Sequence, residues 1–312
     1  MTTILVHAPG LLTTVQDLGR EGFGPSGVSP SGAADALSLR LGDRLVGNPE
    51  GAAGLEMTLL GGAFLFSQGA TIALTGSDFG AALDGAPAQR YASIEVQPRQ
   101  LLKLGPTKSG ARCYLCVRGG IDVRQFLGSA STHLLSGLGG FQGRALRKGD
   151  VLNVGAATGS YRRRTLSARA LAQLAPRKIL RVTAGPQAEA FTSAALEAFY
   201  SGIYSVSEES NRMGIRLRGP SVARASGGDM ITEGVSLGAV QIPSGGQPII
   251  LFVEQQTTGG YPKIANVISA DLPSLGQLRP RDEIRFELVS AESARELFLR
   301  QEQLFSSEAL FE

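Results

Sequence analysis

Apolar residues along this chain fall mostly in short runs: Ala63 to Phe66, Thr71 to Leu74, Cys113 to Val117, Leu180 to Thr183, Ile249 to Val253 and Ile284 to Val289. Gly, Pro, Asp and Asn flank them. Runs of that length with such flanks predict β-strands rather than helices. Three segments carry a helical period instead. In the first, from Ala33 to about Val46, Leu37, Leu41 and Leu45 recur every four residues. Ser31 is its expected N-cap, and Gly47 with Pro49 its stop. The second runs from Pro186 to about Tyr200, with Phe191, Ala195 and Phe199 on one stripe. The third runs from about Ala291 to Phe305 behind Ser290, with Ala294 and Phe298 four apart. The expected class is mainly β with a few short helices.

The stretch from Ala156 to Ala175 has little strand character, which places a boundary between an N-terminal β-rich lobe, 1–165, and a C-terminal lobe, 176–312, ending in a helix. A diffuse echo links the two halves. Leu146-Arg147-Lys148-Gly149-Asp150-Val151-Leu152 resembles Leu278-Arg279-Pro280-Arg281-Asp282-Glu283-Ile284. Upstream, Gly110 to Val117 precedes Gly119-Gly120, and Gly246 to Val253 precedes Gly259-Gly260. Such an echo raises duplication of one barrel unit without deciding it.

Composition narrows the picture. In 312 residues, 43% are hydrophobic, 18% are charged and 41 are Gly, which suits a packed core with many tight turns and excludes a disordered chain. A net charge of +3 is too small to imply nucleic-acid or membrane binding. The exception, Arg162-Arg163-Arg164, reads as a solvated loop or a contact for an acidic partner. The N-terminus lacks a basic segment followed by a long apolar run, and no stretch approaches the length of a membrane helix, so a cytoplasmic location is expected. Cys113 and Cys116 have C-x-x-C spacing but lie in a strand pattern, where residues three apart face opposite ways, so a core role is expected rather than a redox pair. His7 and His133 are far apart, with no Cys/His cluster, so no metal site is expected.

Familiar catalytic signatures are absent: there is no G-x-x-x-x-G-K-[ST] and no G-x-S-x-G. Gly137-Leu138-Gly139-Gly140 lacks the strand and helix a dinucleotide loop needs. Four polar clusters remain. Thr14 to Arg20 sets Asp17 three residues before Arg20. Gly27 to Asp35 puts Ser31 and Asp35 at a helix start, where capping or anion binding is served. Glu208 to Leu217 carries Asn211 and Arg212, the latter with a planar fork matched to a carboxylate. In the fourth, the apolar strand ending at Val253 runs into Glu254-Gln255-Gln256-Thr257-Thr258-Gly259-Gly260-Tyr261-Pro262-Lys263. Amides, hydroxyls and a cation there follow a buried strand, and paired glycines let backbone approach a ligand. Glu233 and Gln241 are expected to face the same region.

Taken in order, Thr14-Val15-Gln16-Asp17-Leu18-Gly19-Arg20, Gly27-Val28-Ser29-Pro30-Ser31-Gly32, Arg44-Leu45-Val46-Gly47-Asn48, Arg118-Gly119-Gly120-Ile121, Leu127-Gly128-Ser129, Arg212-Met213-Gly214 and Thr257-Thr258-Gly259-Gly260-Tyr261-Pro262 resemble one family. It is the allophanate hydrolase subunit 2, or biotin-dependent carboxyltransferase, domain, found in the C subunit of 5-oxoprolinase. The resemblance implies two cyclophilin-like β-barrel lobes. It implies one component of a complex that opens 5-oxo-L-proline to L-glutamate, with ATP used by the complex. The implied partners are the 5-oxoprolinase A and B subunits, the latter a homologous barrel protein. Relatives imply two alternatives: the carboxyltransferase component of a biotin-dependent urea or amide carboxylase, and a regulatory protein antagonising a kinase inhibitor. No Ala-Met-Lys-Met carrier sequence occurs, so biotin would arrive on another chain. This chain departs from the family's pattern, which commonly shows Asp-Arg where this chain has Glu254-Gln255 and favours Gly at the Arg281 position and Asn at the Asp43 position.

On this reading Arg212 holds a substrate carboxylate. Thr257, Thr258 and the Gly259 and Gly260 amides donate to a developing oxyanion. Asp17, Asp35 or Glu233 transfers the proton. Arg20, Ser31, Asn211, Gln241, Gln256, Tyr261 and Lys263 line the substrate.

Overall fold

A computed structural model describes residues 2–225 and 230–312. They form two compact units: residues 2–20, 31–173 and 307–312 in one, and 21–30 with the described part of 174–306 in the other. The mainly β class holds in both.

The first unit is built from two antiparallel sheets. One runs Ile121–Asp122, Val151–Val154, Thr3–Ala8, Ala63–Phe66, Leu101–Lys103, Ala82–Leu83, Ala86–Pro87 in spatial order. The other runs Leu12–Gln16, Gly54–Thr58, Arg112–Val117, Ala70–Gly76, Ser93–Val96. Alternate residues of both sheets meet in one core, with Ile4, Val6, Phe64 and Phe66 from the first against Leu55, Met57, Leu74 and Leu115 from the second. The strand Arg112–Val117 is buried on both faces, because the helix Ala36–Val46 covers its outer side. Cys113 accordingly joins the sheet core, while Cys116 lies against Gly42 of the helix. Burial pushes the Cys113 thiol up to about 12 and the Cys116 thiol well above its usual range, so both are inert packing residues.

That helix starts later than the sequence suggests. Its N-cap is Asp35, whose Oδ1 accepts from the Ser38 backbone N–H at 2.9 Å and whose Oδ2 accepts from the Ser38 hydroxyl at 2.6 Å. Ser31 does not cap it. Ser31 has a left-handed backbone (φ 58°) and donates from Oγ to the Thr132 carbonyl at 2.9 Å. The triple arginine is held within the unit: Arg162 pairs with Glu308 at 2.6 Å, Arg163 lies 3.9 Å from Glu95, and Arg164 stacks on Phe311. A short helix, Ala168–Gln173, occupies the stretch that lacked any strand pattern.

The second unit is a closed seven-stranded barrel: Ile179–Ala184, Lys263–Val267, Ala239–Gln241, Ile249–Leu251, Gly214–Arg218, Tyr204–Val206, Glu283–Leu288. Its last strand closes on the first in parallel, and the other pairs are antiparallel. The expected helix from Pro186 is split. Gln187 is not helical (φ −120°), a short 3-10 turn follows at Ala188–Ala190, and the α-helix Ser193–Ser201 begins only where Thr192 caps it, accepting from the Ala195 N–H at 3.1 Å. Its Phe199 stacks on Phe286 of the barrel with centroids 4.5 Å apart. The C-terminal helix spans Ala291–Ser306. Among the described residues no helix is long and apolar enough to cross a membrane.

The sequence echo corresponds to one turn built twice. Asp150 Oδ2 accepts from the Arg147 N–H at 2.7 Å, and Asp282 Oδ2 accepts from the Arg279 N–H at 2.9 Å. Each Asp carbonyl then receives a strand N–H, from Val6 in one unit and Val206 in the other, both edges leading into a strand. Gly149 and Arg281 occupy the same left-handed position, at φ 91° and 71°.

Candidate active site

The strand Ile249–Leu251 does not stop cleanly. Backbone pairing continues beyond it, with the Phe252 N–H donating to Met213 O at 3.0 Å and the Glu254 N–H to Arg212 O at 2.8 Å. This extension sets the Arg212 and Glu254 side chains together, Nε to Oε1 at 2.5 Å, with both side chains almost fully buried. A buried guanidinium needs such a counter-charge. Beside it, the buried Gln255 amide donates to Ser236 O at 3.1 Å and accepts from the Leu237 N–H at 3.0 Å. Glu254 and Gln255 thus tie the loop down. Glu254 secures Arg212, and Gln255 secures the segment around Ser236.

Beyond Gln255 the chain leaves the barrel in a two-rung ribbon, Thr258–Gly259 against Glu233–Gly234. Glu233, Gly234 and Thr258 are exposed, while Gly259 is buried against the barrel. Beneath it lies Gln241, 2% exposed, whose Nε2 has no hydrogen-bond partner among the described residues. A Cβ on Gly259 would sit 2.5 Å from that nitrogen and would push the amide aside, so the glycine lets the backbone lie directly over it.

Gln241 is in register with Lys263, and the ladder shifts between Val240 and Gln241. Such irregularities re-aim side chains next to functional sites. Here the shift puts the two polar residues opposite each other at the strand ends. Lys263, 4% exposed, pairs through Nζ with Glu233 Oε1, and Gln187 Nε2 donates to the same oxygen at 2.7 Å. Gln187 also accepts from the Lys263 N–H at 3.2 Å. Those contacts from Lys263, and then Gln187, hold the Glu233 carboxyl below the usual carboxylate range. Nearby, Arg224 Nη2 donates to Ile242 O at 2.9 Å.

The structure therefore gathers Glu233, Gln241, Gln256, Gly259 and Lys263 of the sequence-derived set around one strand end. Thr257 joins them through its carbonyl, which accepts from the Val235 N–H at 3.2 Å; Thr258 is a rung of the ribbon. Gly260 and the 43%-exposed Tyr261 continue from it. Arg212 lies on the adjoining extension, and Asn211 shapes its turn, accepting from the Met213 N–H at 2.8 Å. Gln187 carried no sequence signal of its own. It sits after Gly185-Pro186, where a Cβ on Gly185 would fall 2.1 Å from Lys263 O, and that close approach is the one hint available.

Asp17, Arg20, Ser31 and Asp35 belong to the first unit and act there as fasteners. Asp17 accepts from the Gly19 N–H (2.8 Å), the Ser129 hydroxyl (2.7 Å), the Ser131 hydroxyl (2.5 Å) and the Ala130 N–H (2.6 Å). Arg20 donates to Phe126 O at 3.3 Å and Ser131 O at 2.5 Å, and it stacks on the Phe126 ring. Asp35 caps its helix, as described above. Among the described residues no group of three or more His, Cys, Asp or Glu is placed to hold a metal.

The chain belongs to the carboxyltransferase domain family, subdomains A and B, which it matches over residues 26–288. Within that family it is similar to the C subunit of 5-oxoprolinase from Escherichia coli, 40% identical over 294 residues, 94% of this chain and 93% of that one. It is similar also to the C subunit of 5-oxoprolinase from Haemophilus influenzae, 38% identical over 91% of this chain and 90% of that one. Among solved structures it resembles the urea amidolyase of K. lactis, with a TM-score of 0.92 and 34% identity over 99% of this chain and 20% of that one.

Proposed function

We propose that this chain is the C subunit of an ATP-dependent 5-oxoprolinase, which opens 5-oxo-L-proline to L-glutamate together with the A and B subunits. Full-length similarity to two 5-oxoprolinase C subunits supports the reading. The observation that carries it is Gln241 Nε2, a buried donor without a partner among the described residues, beneath the Gly259 backbone and opposite Lys263.

A buried amide N–H without an acceptor is costly, about 1–3 kcal/mol, unless a ligand completes it. 5-Oxoproline offers two acceptors of the right kind, a lactam carbonyl and a carboxylate. Gln241 and the Gly259–Gly260 backbone amides suit the lactam oxygen, where negative charge develops as the ring opens. Lys263 suits the carboxylate, replacing Arg212, whose guanidinium is already held by Glu254. A lactam is an unactivated amide, and ATP used by the complex supplies the driving force. Gln241 and Lys263 are almost fully buried, which strengthens each interaction.

The test is reconstitution with the A and B subunits, followed by 5-oxoproline-dependent ATP hydrolysis and glutamate formation. The reading expects both activities to need this chain; full activity of the other two subunits without it contradicts the proposal. Likeness to urea amidolyase favours a second reading, transfer of a carboxyl group from biotin carried on another chain to urea or an amide. Urea-dependent carboxylation with a biotinylated partner, in place of oxoprolinase activity, would select it.

A further inference from the structure

We infer that Lys263 and Gln187 form a carboxylate-binding subsite, next to the Gln241 amide, that the chain's own Glu233 occupies at rest, and that an incoming substrate carboxylate displaces Glu233 from it. The inference deepens the 5-oxoprolinase reading and rests on it for the identity of the substrate.

The asymmetry of the ion pair carries the argument. The Lys263 side chain is 5% exposed, whereas that of Glu233 is 44% exposed and belongs to a ribbon of two residues per strand. Burying an ammonium is expensive without a counter-charge, so the subsite requires an anion at all times. A barrel strand provides the buried cation and the turn after another strand the Gln187 amide, but the anion comes from an exposed two-residue ribbon strand. Among the described residues, the Glu233 carboxylate is held by the two donors it serves, Lys263 and Gln187. A ligand carboxylate satisfies the same donors equally well, and Glu233 regains its hydration on release.

Glu233 also leaves the subsite incompletely filled. Gln241 Nε2 stays without an acceptor among the described residues in the closed arrangement, although Gln241 and Lys263 are register partners. A ligand bearing one carboxylate and a second acceptor a few atoms away fills both, which Glu233 alone does not. Displacing Glu233 also loosens the rung between Glu233 and Gly259 that covers Gln241. Carboxylate binding and uncovering of the amide are therefore one event, and lactams without a carboxylate are disfavoured.

An internal competitor lowers apparent affinity by the fraction of time it vacates the site. Removing its charge should raise affinity for carboxylates, the reverse of what removing a substrate-binding or proton-transferring residue does. The experiment titrates the full chain with 5-oxo-L-proline, acetate and 2-pyrrolidinone (the same ring without a carboxylate), following the thermal unfolding midpoint. Glu233→Gln is expected to bind both carboxylates about tenfold more tightly than the unsubstituted chain. 2-Pyrrolidinone should bind more weakly than 5-oxo-L-proline, and Lys263→Met should abolish the response to both carboxylates. Glu233→Asp, with a shorter arm, should show a smaller gain and replaces Glu233→Gln if that variant does not fold. Carboxylate affinity that is unchanged or weaker in the folded Glu233 variants, or a response that survives Lys263→Met, overturns the inference. If the reconstituted complex lacks oxoprolinase activity but Glu233→Gln gains carboxylate affinity, the oxoprolinase reading fails and the subsite stands. An active complex with no such gain has the opposite consequence.

Discussion

Gly119–Gly120 and Gly259–Gly260 each follow an apolar strand, yet different physics requires each pair. In the first unit both residues have left-handed backbones, φ 96° and 71°, and a Cβ on Gly119 would lie 2.1 Å from the Gly155 carbonyl oxygen. The pair is a structural corner packed against backbone that has nowhere to move. In the barrel neither Gly259 nor Gly260 is left-handed, and the atom a Gly259 Cβ would strike is the end of a side chain, Gln241 Nε2. There the glycine keeps space beside a donor. The same contrast extends to the surroundings. Asp17 of the first unit accepts from four donors, whereas Gln241 retains an unused one among the described residues. One glycine pair completes a fold, and the other leaves a chemical group unanswered, which is the better mark of a site.

Substitutions separate the two kinds of glycine. Gly119→Ala should cost about 3–4 kcal/mol, combining left-handed strain with backbone overlap. Denaturant unfolding measures it, and a loss near zero would mean the corner is softer than its contacts indicate. The first unit also holds a poorly satisfied group, the buried carboxyl of Asp43. Burial pushes its pKa from 3.8 to about 8, outweighing the Asn48 amide and the Gly51 and Ala52 backbone N–H groups. Because the folded chain keeps it neutral while the unfolded chain ionises it, stability falls as pH rises from about 4 to about 8 and then levels off. Asp43→Asn, which removes the ionisable carboxyl, should remove that slope. Its advantage over the unsubstituted chain should grow by about 5 kcal/mol across the window, and parallel unfolding curves at pH 5 and pH 8 would refute this.

The repeated turn gives a finer comparison. Gly149→Ala should cost about 1 kcal/mol from backbone strain alone, since a Cβ there meets nothing within 4 Å. Arg281→Gly, at the matching position, should gain about 0.5 kcal/mol, because relief of the φ 71° strain exceeds the loss of the exposed pair with Glu208. Equal and opposite shifts in unfolding midpoint would indicate that the two turns are energetically as well as geometrically equivalent.

Much of this was legible in the sequence. Short apolar runs marked the strands, because each is a buried strip between turn residues; Ala63–Phe66 falls where its run predicts. The echo around Asp150 and Asp282 was legible because an aspartate closing on a backbone N–H three residues earlier needs a fixed spacing. Helix starts were less legible. Ser31 and Asp35 are both good caps, and the choice of Asp35 depends on Ser31 being drawn to Thr132, about a hundred residues away in sequence. The Gly259–Lys263 segment announced the site, but Gln187 did not. Its role follows from a close backbone approach between Gly185 and Lys263 that no local pattern encodes. Arg212 and Glu254 look like two free charges in the sequence, and they are partners only because backbone pairing continues past Leu251.

The most direct test of the strand-end site is Gly259→Ala in the reconstituted complex, measured as kcat/KM for 5-oxo-L-proline together with the unfolding midpoint of the full chain. A methyl group there displaces the Gln241 amide without forcing a left-handed backbone. The expected result is a loss of about 100-fold in kcat/KM with an unfolding midpoint within a few degrees of the unsubstituted chain. Undiminished kcat/KM in a stably folded Gly259→Ala chain would contradict the assignment of the site to Gln241, Gly259 and Lys263.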